Sequence, residues 1–341
     1  MSSDLSVKDL DFPLSIAPMM KLTDRHFRYF MRLITRYTVL YSEMITTFAL
    51  LRGNRDKLLA FDPVELPLVL QLGGSDAQSL ALCARMAQEY GFSAVNLNAG
   101  CPSPKVQKGE FGIKLMKNPD FAAELYNTIK NAVTIPVSVK HRLGIENKVD
   151  YEQLYRFIER LAAAGCCHFI IHARIADLNT LDAKQNRKIP PLRHTDVYHL
   201  KKTFPGLIFE LNGGVTTLKE AREHLCKTDK VMIGRAAYAD PYLFANADSF
   251  FKPGNGLPPT RRQVIERIIP YLQKQEAEGI NPLSMLRHLM GLFRYTSCAR
   301  AWRRYLSESV KSNKPVDKIL EHAQKGLPSE ILDDRARLSL S

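Results

Sequence analysis

The chain has 341 residues, 45% of them hydrophobic and 24% charged, proportions that exclude a disordered or fibrous polypeptide. Its formal net charge of +13 is the kind of excess carried by proteins that meet a polyanion. Six cysteines without a CxxC pair give no zinc signature and no disulfide framework, and neither the acidic start MSSDLSVKDLDFP nor any later stretch approaches the ~20 apolar residues of a membrane span, so the expectation is a soluble, unexported cytoplasmic protein without a metal or a membrane partner.

Along the chain, eight short runs rich in apolar and β-branched residues recur with room for one helix between each. They are LSIAP (14–18), TVLYSEM (38–44), PLVLQL (67–72), SAVNLN (93–98), IPVSVK (135–140), CHFIIH (167–172), GLIFEL (206–211) and KVMIG (230–234). Two of the intervening helices read clearly, 76–90 with Asp76 as N-cap and 217–226 with Thr216 or Thr217 as cap. Eight buried strands alternating with helices point to a closed α/β fold, a (β/α)₈ TIM barrel. At FKPGNGLPPT (251–260) two glycines and three prolines break the pattern. Only helical periods follow, over 261–278, 282–297, 299–311 and 315–325. The reading is therefore a barrel domain over 1–250 and a small all-helical C-terminal domain over 259–330.

All eight strands end in chemically distinctive residues: Pro18-Met19-Met20, Glu43-Met44, Gln71 with Gly73-Gly74, Asn98 with Gly100-Cys101-Pro102, Lys140 with Arg142, His172 with Arg174, Asn212-Gly213-Gly214 and Gly234-Arg235. Singly, each has an ordinary structural explanation: a solvated strand end, a hydrogen-bonded core histidine, a tight turn. In a barrel, however, all these ends meet at one mouth, where catalysis and binding are built. The glycine turns after strands seven and eight, with Arg235 beside the second, suit a phosphate. Gln71, Lys140 and His172 then offer donors to the carbonyls and N1 edge of a flavin. Cys101 stands apart from Cys83, Cys166, Cys167, Cys226 and Cys298, which read as small buried hydrophobes. A free thiol has a pKa of about 8.5 and is mostly protonated at neutral pH, so a general acid fits better than a nucleophile, which would need an activating partner.

The charge is uneven. Residues 251–341 carry 16 basic and 9 acidic side chains, more than half of the excess. On 299–311, Arg300, Arg303, Arg304 and Lys311 share one face by i,i+3 and i,i+4 spacing, with Trp302, Tyr305 and Leu306 opposite. The long connection 173–194 adds Lys184, Arg187, Lys188 and Arg193 on the rim of the mouth.

The segments SIAPMMKLTDRHFR, LQLGG, NLNAGCPSPKVQKGEFG, VSVKHRLGI, FIIHAR, LNGG and IGRAAY, in order between about residues 14 and 311, resemble the tRNA-dihydrouridine synthases. KQNRKIPPL (184–192) and CARAWRRYLSES (298–309) are similar to the A-type subfamily. The resemblance implies an FMN-binding barrel with a helical tail that reduces the C5=C6 bond of a D-loop uridine in tRNA, at position 20 or 20a, with NADPH as donor. It implies that Ala17, Pro18, Met19, Gln71, Lys140, His172, Asn212, Gly213, Gly214, Gly234 and Arg235 contact FMN. It further implies that Cys101 donates the proton and that Asn98, Lys184, Arg187, Arg300 and Arg303 contact tRNA. Apart from the resemblance, a monomer is expected. Lys21-Leu22 departs from the acidic-aromatic pair more usual there. The competing readings are an FMN barrel oxidoreductase acting on a free pyrimidine or dihydroorotate-like metabolite, which needs no basic tail, and an RNA-binding module without chemistry, which needs no Cys101.

Overall fold

The computed structural model describes residues 10–146, 150–254, 256–309 and 314–335. Each of the eight apolar runs forms a strand: β1 Leu14–Ile16, β2 Leu40–Thr46, β3 Leu68–Gly73, β4 Ala94–Ala99, β5 Val137–Ile145, β6 His168–Ala176, β7 Ile208–Asn212 and β8 Lys230–Ile233. Neighbours pair in parallel in the order β1-β8-β7-β6-β5-β4-β3-β2. The two ends of that order are joined by the Ser15–Val39 bridge, in which Ile16 N–H donates to the Val39 carbonyl at 2.9 Å and Val39 N–H to Leu14 at 3.0 Å. The architecture is the (β/α)₈ barrel expected.

Strand side chains alternate between two faces. Leu68, Leu70 and Leu72 of β3 and Val95 and Leu97 of β4 point outward into the main core beneath the helices. Val69, Ala94, Ile170 and Met232 belong to a small separate apolar layer inside the barrel. Above and below that layer the interior is polar. Gln71 Nε2 donates to Asn96 Oδ1 at 2.8 Å and Asn96 Nδ2 to Ser138 Oγ at 2.9 Å, while Glu210 accepts from His168 Nε2 at 2.9 Å and from Ser15. Buried polar groups survive in such an interior because each finds a partner.

The helix Ala77–Glu89 starts at Asp76, whose carboxylate accepts from Ser79 N–H at 2.7 Å. Thr217, not Thr216, caps Leu218–Leu225. In the tail, Arg261–Ala277 begins with a Thr260/Gln263 capping box, and Ala299–Ser309 and Val316–Lys325 are helical as expected. The helix expected over 282–297 is instead broken into Pro282–Leu286 and a 3₁₀ turn Arg287–Gly291. Gly291 explains the break: a Cβ there would lie 2.7 Å from Pro241 Cδ and 2.8 Å from the Ala239 carbonyl. The backbone is pressed against the segment that follows β8, and this tertiary contact overrides helical periodicity.

The tail is fastened to the barrel by aromatic and ionic contacts. Tyr271 stacks on Tyr29 at 3.8 Å, and Asp24, the N-cap of Arg25–Ile34, meets Arg287 Nη2 at 2.5 Å and His288 Nε2 at 3.0 Å. Trp302 is buried and donates from Nε1 to the Leu289 carbonyl at 2.8 Å. Cys83, Cys166 and Cys298 are buried, but Cys167 and Cys226 are exposed, contrary to their expected core role: Cys167 directly precedes β6 and Cys226 caps the end of Leu218–Leu225, positions the core does not cover. Among the described residues no helix is long and apolar enough to cross a membrane, and no group of three or more potential His, Cys, Asp or Glu ligands is placed to hold a metal.

Candidate active site

The loop after β4 carries Cys101 at the mouth. Asn98, the last inward residue of β4, turns its amide oxygen back to accept from Gly100 N–H at 3.1 Å and Cys101 N–H at 2.9 Å. Its Nδ2 donates to Gln71 Oε1 at 2.9 Å, so Asn98 and Gln71 form one buried polar unit. Gly100 is squeezed against β5, where a Cβ would come within 3.2 Å of His141 backbone atoms. The Cys101 carbonyl accepts from Ile113 N–H at 3.1 Å, and its partly exposed thiol points to Ser103 Oγ at 3.6 Å. The Cys101 loop is thus held on both flanks, with the residue itself partly exposed.

Positive charge collects beside it. Lys140 Nζ donates to Asn212 Oδ1 at 3.0 Å, and Asn212 Nδ2 to the Met232 carbonyl at 2.8 Å. Burial and the Arg142 guanidinium pull the Lys140 ammonium down to about 8, against opposing pulls from Glu210 and Cys101. Burial, then Arg142, Lys140, Arg174 and Arg235, hold His172 well below its ordinary range, so it is neutral at physiological pH. Burial brings Arg142 down to about 10. Arg174 and Arg235 are also lowered, by burial first and then by Arg235 and Arg187 respectively. Among the described residues none of Lys140, Arg142, Arg174 and Arg235 pairs with a carboxylate, and the buried Arg174 Nε has no hydrogen-bond partner. Uncompensated cations at a concave mouth favour an anionic ligand.

The turn after β7 can be built only from glycine. Gly213 and Gly214 have φ of 117° and 82°, the left-handed region that favours glycine. A Cβ on Gly213 would sit 2.9 Å from His172 Cδ2, and one on Gly214 would sit 2.4 Å from Leu192 Cδ1. Ala17 and Met19, beyond β1, lie nearest Gly234, with a Cβ there 3.5 Å from Ala17 Cβ and 3.9 Å from Met19 Sδ. The ends of β1 and β8 therefore form one wall.

The dihydrouridine synthase family model matches residues 15–327. The chain belongs to the dihydrouridine synthase family. It is 51% identical to the tRNA-dihydrouridine(20/20a) synthase of Synechocystis over 91% of this chain and 93% of that protein. Proteins of the same name from Shewanella oneidensis and Pseudomonas aeruginosa are 45% and 46% identical, over 95% and 91% of this chain and 97% and 93% of theirs.

In this dihydrouridine synthase, residues expected at the flavin and residues expected at RNA are distributed differently. Ala17, Gln71, Lys140, His172, Asn212 and the glycines converge on the mouth, whereas Lys184 and Arg187 are exposed on the rim and Arg300 and Arg303 on the tail helix Ala299–Ser309. Trp302 and Leu306 face inward and Arg304 outward on that helix, as the spacing predicts; Lys311 lies outside the described residues. Lys21 adopts φ of 63° and gives its N–H to Glu43, in the middle of β2. Arg142 and Arg174 were legible only as strand-end residues. The i,i+2 spacing from Lys140 and His172 is the signal that puts them on the same inward face.

Proposed function

We propose that the chain is a flavin-dependent tRNA-dihydrouridine synthase that reduces the C5=C6 bond of a D-loop uridine, at position 20 or 20a, to 5,6-dihydrouridine, with FMN as cofactor and NADPH as electron donor. Family membership and the names of its relatives support the reaction class and the tRNA substrate. The observation that carries the assignment of roles is the meeting of the Cys101 thiol with an uncompensated cationic mouth.

The residues present fit FMN. Gly213, Gly214, Gly234 and Arg235 would hold its phosphate, and Ala17, Pro18, Met19, Gln71, Lys140, His172 and Asn212 its ring and ribityl chain. When bound and reduced, FMN supplies a hydride to C6 of uracil. Cys101 then protonates C5: the S–H bond breaks as the C5–H bond forms, and the negative charge passes to the sulfur. Lys140 and Arg142 lie within electrostatic reach of that sulfur and stabilise the charge as it forms. The neutral His172 and the Gln71–Asn98 pair provide hydrogen bonds without a competing anion.

A uridine in a folded loop reaches this mouth only when swung out of its stack. The proposed division of labour follows: residues 1–250 bind the flavin and the base, and the helical residues 259–330, with Arg300 and Arg303, hold the RNA together with Lys184 and Arg187, while Asn98, buried in the mouth, would meet the RNA only at the swung-out base. Six unbridged cysteines fit a reducing cytoplasm. The test is anaerobic turnover of unmodified tRNA with NADPH, followed by nucleoside mass analysis. A gain of two mass units at one D-loop uridine is expected, whereas reduction of free uracil, or oxidation of a dihydroorotate-like compound, in preference to turnover of tRNA would overturn the reading.

A further inference from the structure

Arg142, at the inward face of β5, is 3% exposed and makes no ion pair among the described residues. Its Nε donates to the Gly100 carbonyl at 3.0 Å, and its Nη1 to the carbonyls of Ile175 and Asn186 at 3.3 and 3.1 Å. Gly100 is the residue before Cys101. Asn186 belongs to the 3₁₀ turn Gln185–Arg187 of the rim connection, next to Arg187 and two residues from Lys184. One guanidinium therefore bonds both the loop that carries the thiol and the loop proposed to grip RNA. The rim side is secured twice more, since Arg235 Nη2 donates to the Arg187 carbonyl at 2.8 Å and Arg174 Nη1 to the Lys188 carbonyl at 3.3 Å. Three arginines from three strand ends thus hold three successive carbonyls. Only Arg142 among them also reaches the Cys101 loop.

We propose that Arg142 is the positioning residue of the proton donor: by fixing the Gly100 carbonyl it sets the Cys101 thiol relative to the base held by the rim. The inference rests on the reading of Cys101 as the acid. The other restraints on this turn are Asn98, which accepts from the Gly100 and Cys101 N–H groups, and Ile113, which donates to the Cys101 carbonyl; without Arg142 the Gly100–Cys101 peptide keeps only its N–H bond and its carbonyl is free to tilt. A displacement of about 1 Å of a reacting group costs on the order of 10²-fold in rate. Lysine at this position keeps the buried charge but lacks the forked donors that reach several carbonyls at once.

The experiment compares wild type, R142K, R142Q, C101A and the R142K/C101A double variant as FMN-loaded enzymes with unmodified tRNA and NADPH. R142K is expected to lower kcat for uridine reduction about 10- to 100-fold, with KM for tRNA and the rate of flavin reduction by NADPH near wild type. In the C101A background R142K is expected to cause no further loss, because a residue acting through another has no effect once that other is gone. Multiplying losses in the double variant, or a raised KM with unchanged kcat, would overturn the positioning role in favour of a direct contact with RNA. Loss of fold or of flavin in both R142K and R142Q would overturn it in favour of a structural one. Full activity of C101A would instead sink the reading of Cys101, a distinguishable outcome.

Discussion

At the scale of single residues the proposed roles separate proton donation, by Cys101, from charge control, by Lys140 and Arg142. Cys101 is held by its backbone, through Asn98 and Ile113, and its sulfur is directed at Ser103 Oγ. C101A is therefore expected to keep flavin and its reduction by NADPH while uridine reduction falls about 10²- to 10⁴-fold, the usual contribution of a general acid; stopped-flow flavin reoxidation by tRNA measures it. Lys140 offers a pH signature. Its ammonium is lowered from 10.5 to about 8 by burial and then by Arg142, so the cation is present below pH 8 and lost above it. If that charge favours reduced flavin, the rate of flavin reduction should be level to about pH 8 and decline beyond it, and K140R should abolish the decline. Unfolding is not an alternative cause from this group. Because the folded-state value lies below the unfolded one, Lys140 destabilises the fold below pH 8, and that penalty is relieved between about 8 and 10.5.

At the scale of elements, β7 joins its neighbours through more than backbone bonds. Burial alone would push the Glu210 carboxyl up, but bonds and charge from His168 on β6, with the Ser15 hydroxyl on β1, hold it below its ordinary value. A depressed carboxylate contributes stability above its unfolded value and loses it as pH falls through the folded one. E210Q should therefore lower stability by about 2 kcal/mol at neutral pH, the scale of hydrogen bonds to a charged group, and the deficit should shrink on acidification; urea melts at pH 7 and pH 4 would show it, and a constant deficit would refute the charge argument. Strand positions were legible in the sequence because buried parallel strands read as apolar runs, but their ends were not. β5 and β6 continue to Ile145 and Ala176, past the apolar runs, where Arg142 and Arg174 reach carbonyls of the rim connection at Asn186 and Lys188. The same long-range contacts hid the role of Arg142, just as the closeness of Gly291 to Pro241 hid the break in the tail helix.

At the scale of the whole molecule, the Asp24–Arg287–His288 contact and the Tyr29–Tyr271 stack fix the tail on the barrel, so the rim and the tail helix present their arginines at a set separation. Two basic surfaces held rigidly apart bind a structured RNA as one bivalent ligand, each raising the effective concentration of the other's partner. The two grips should then be separable by salt. Each lost phosphate contact is expected to reduce the slope of log affinity against log salt by roughly 0.7 to 0.9, so alanine at both Arg300 and Arg303 should flatten it by about twice that. Alanine at both Lys184 and Arg187 should do the same from the other side. NADPH oxidation with a small flavin acceptor should stay normal in the tail variant, since Arg300 and Arg303 are exposed on a helix that packs through Trp302 and Leu306. Filter binding of unmodified tRNA over a salt series measures the slopes. If the tail variant bound with unchanged affinity and slope, all of the electrostatic recognition would reside on the rim, and the concentration of positive charge after residue 250 would need another explanation.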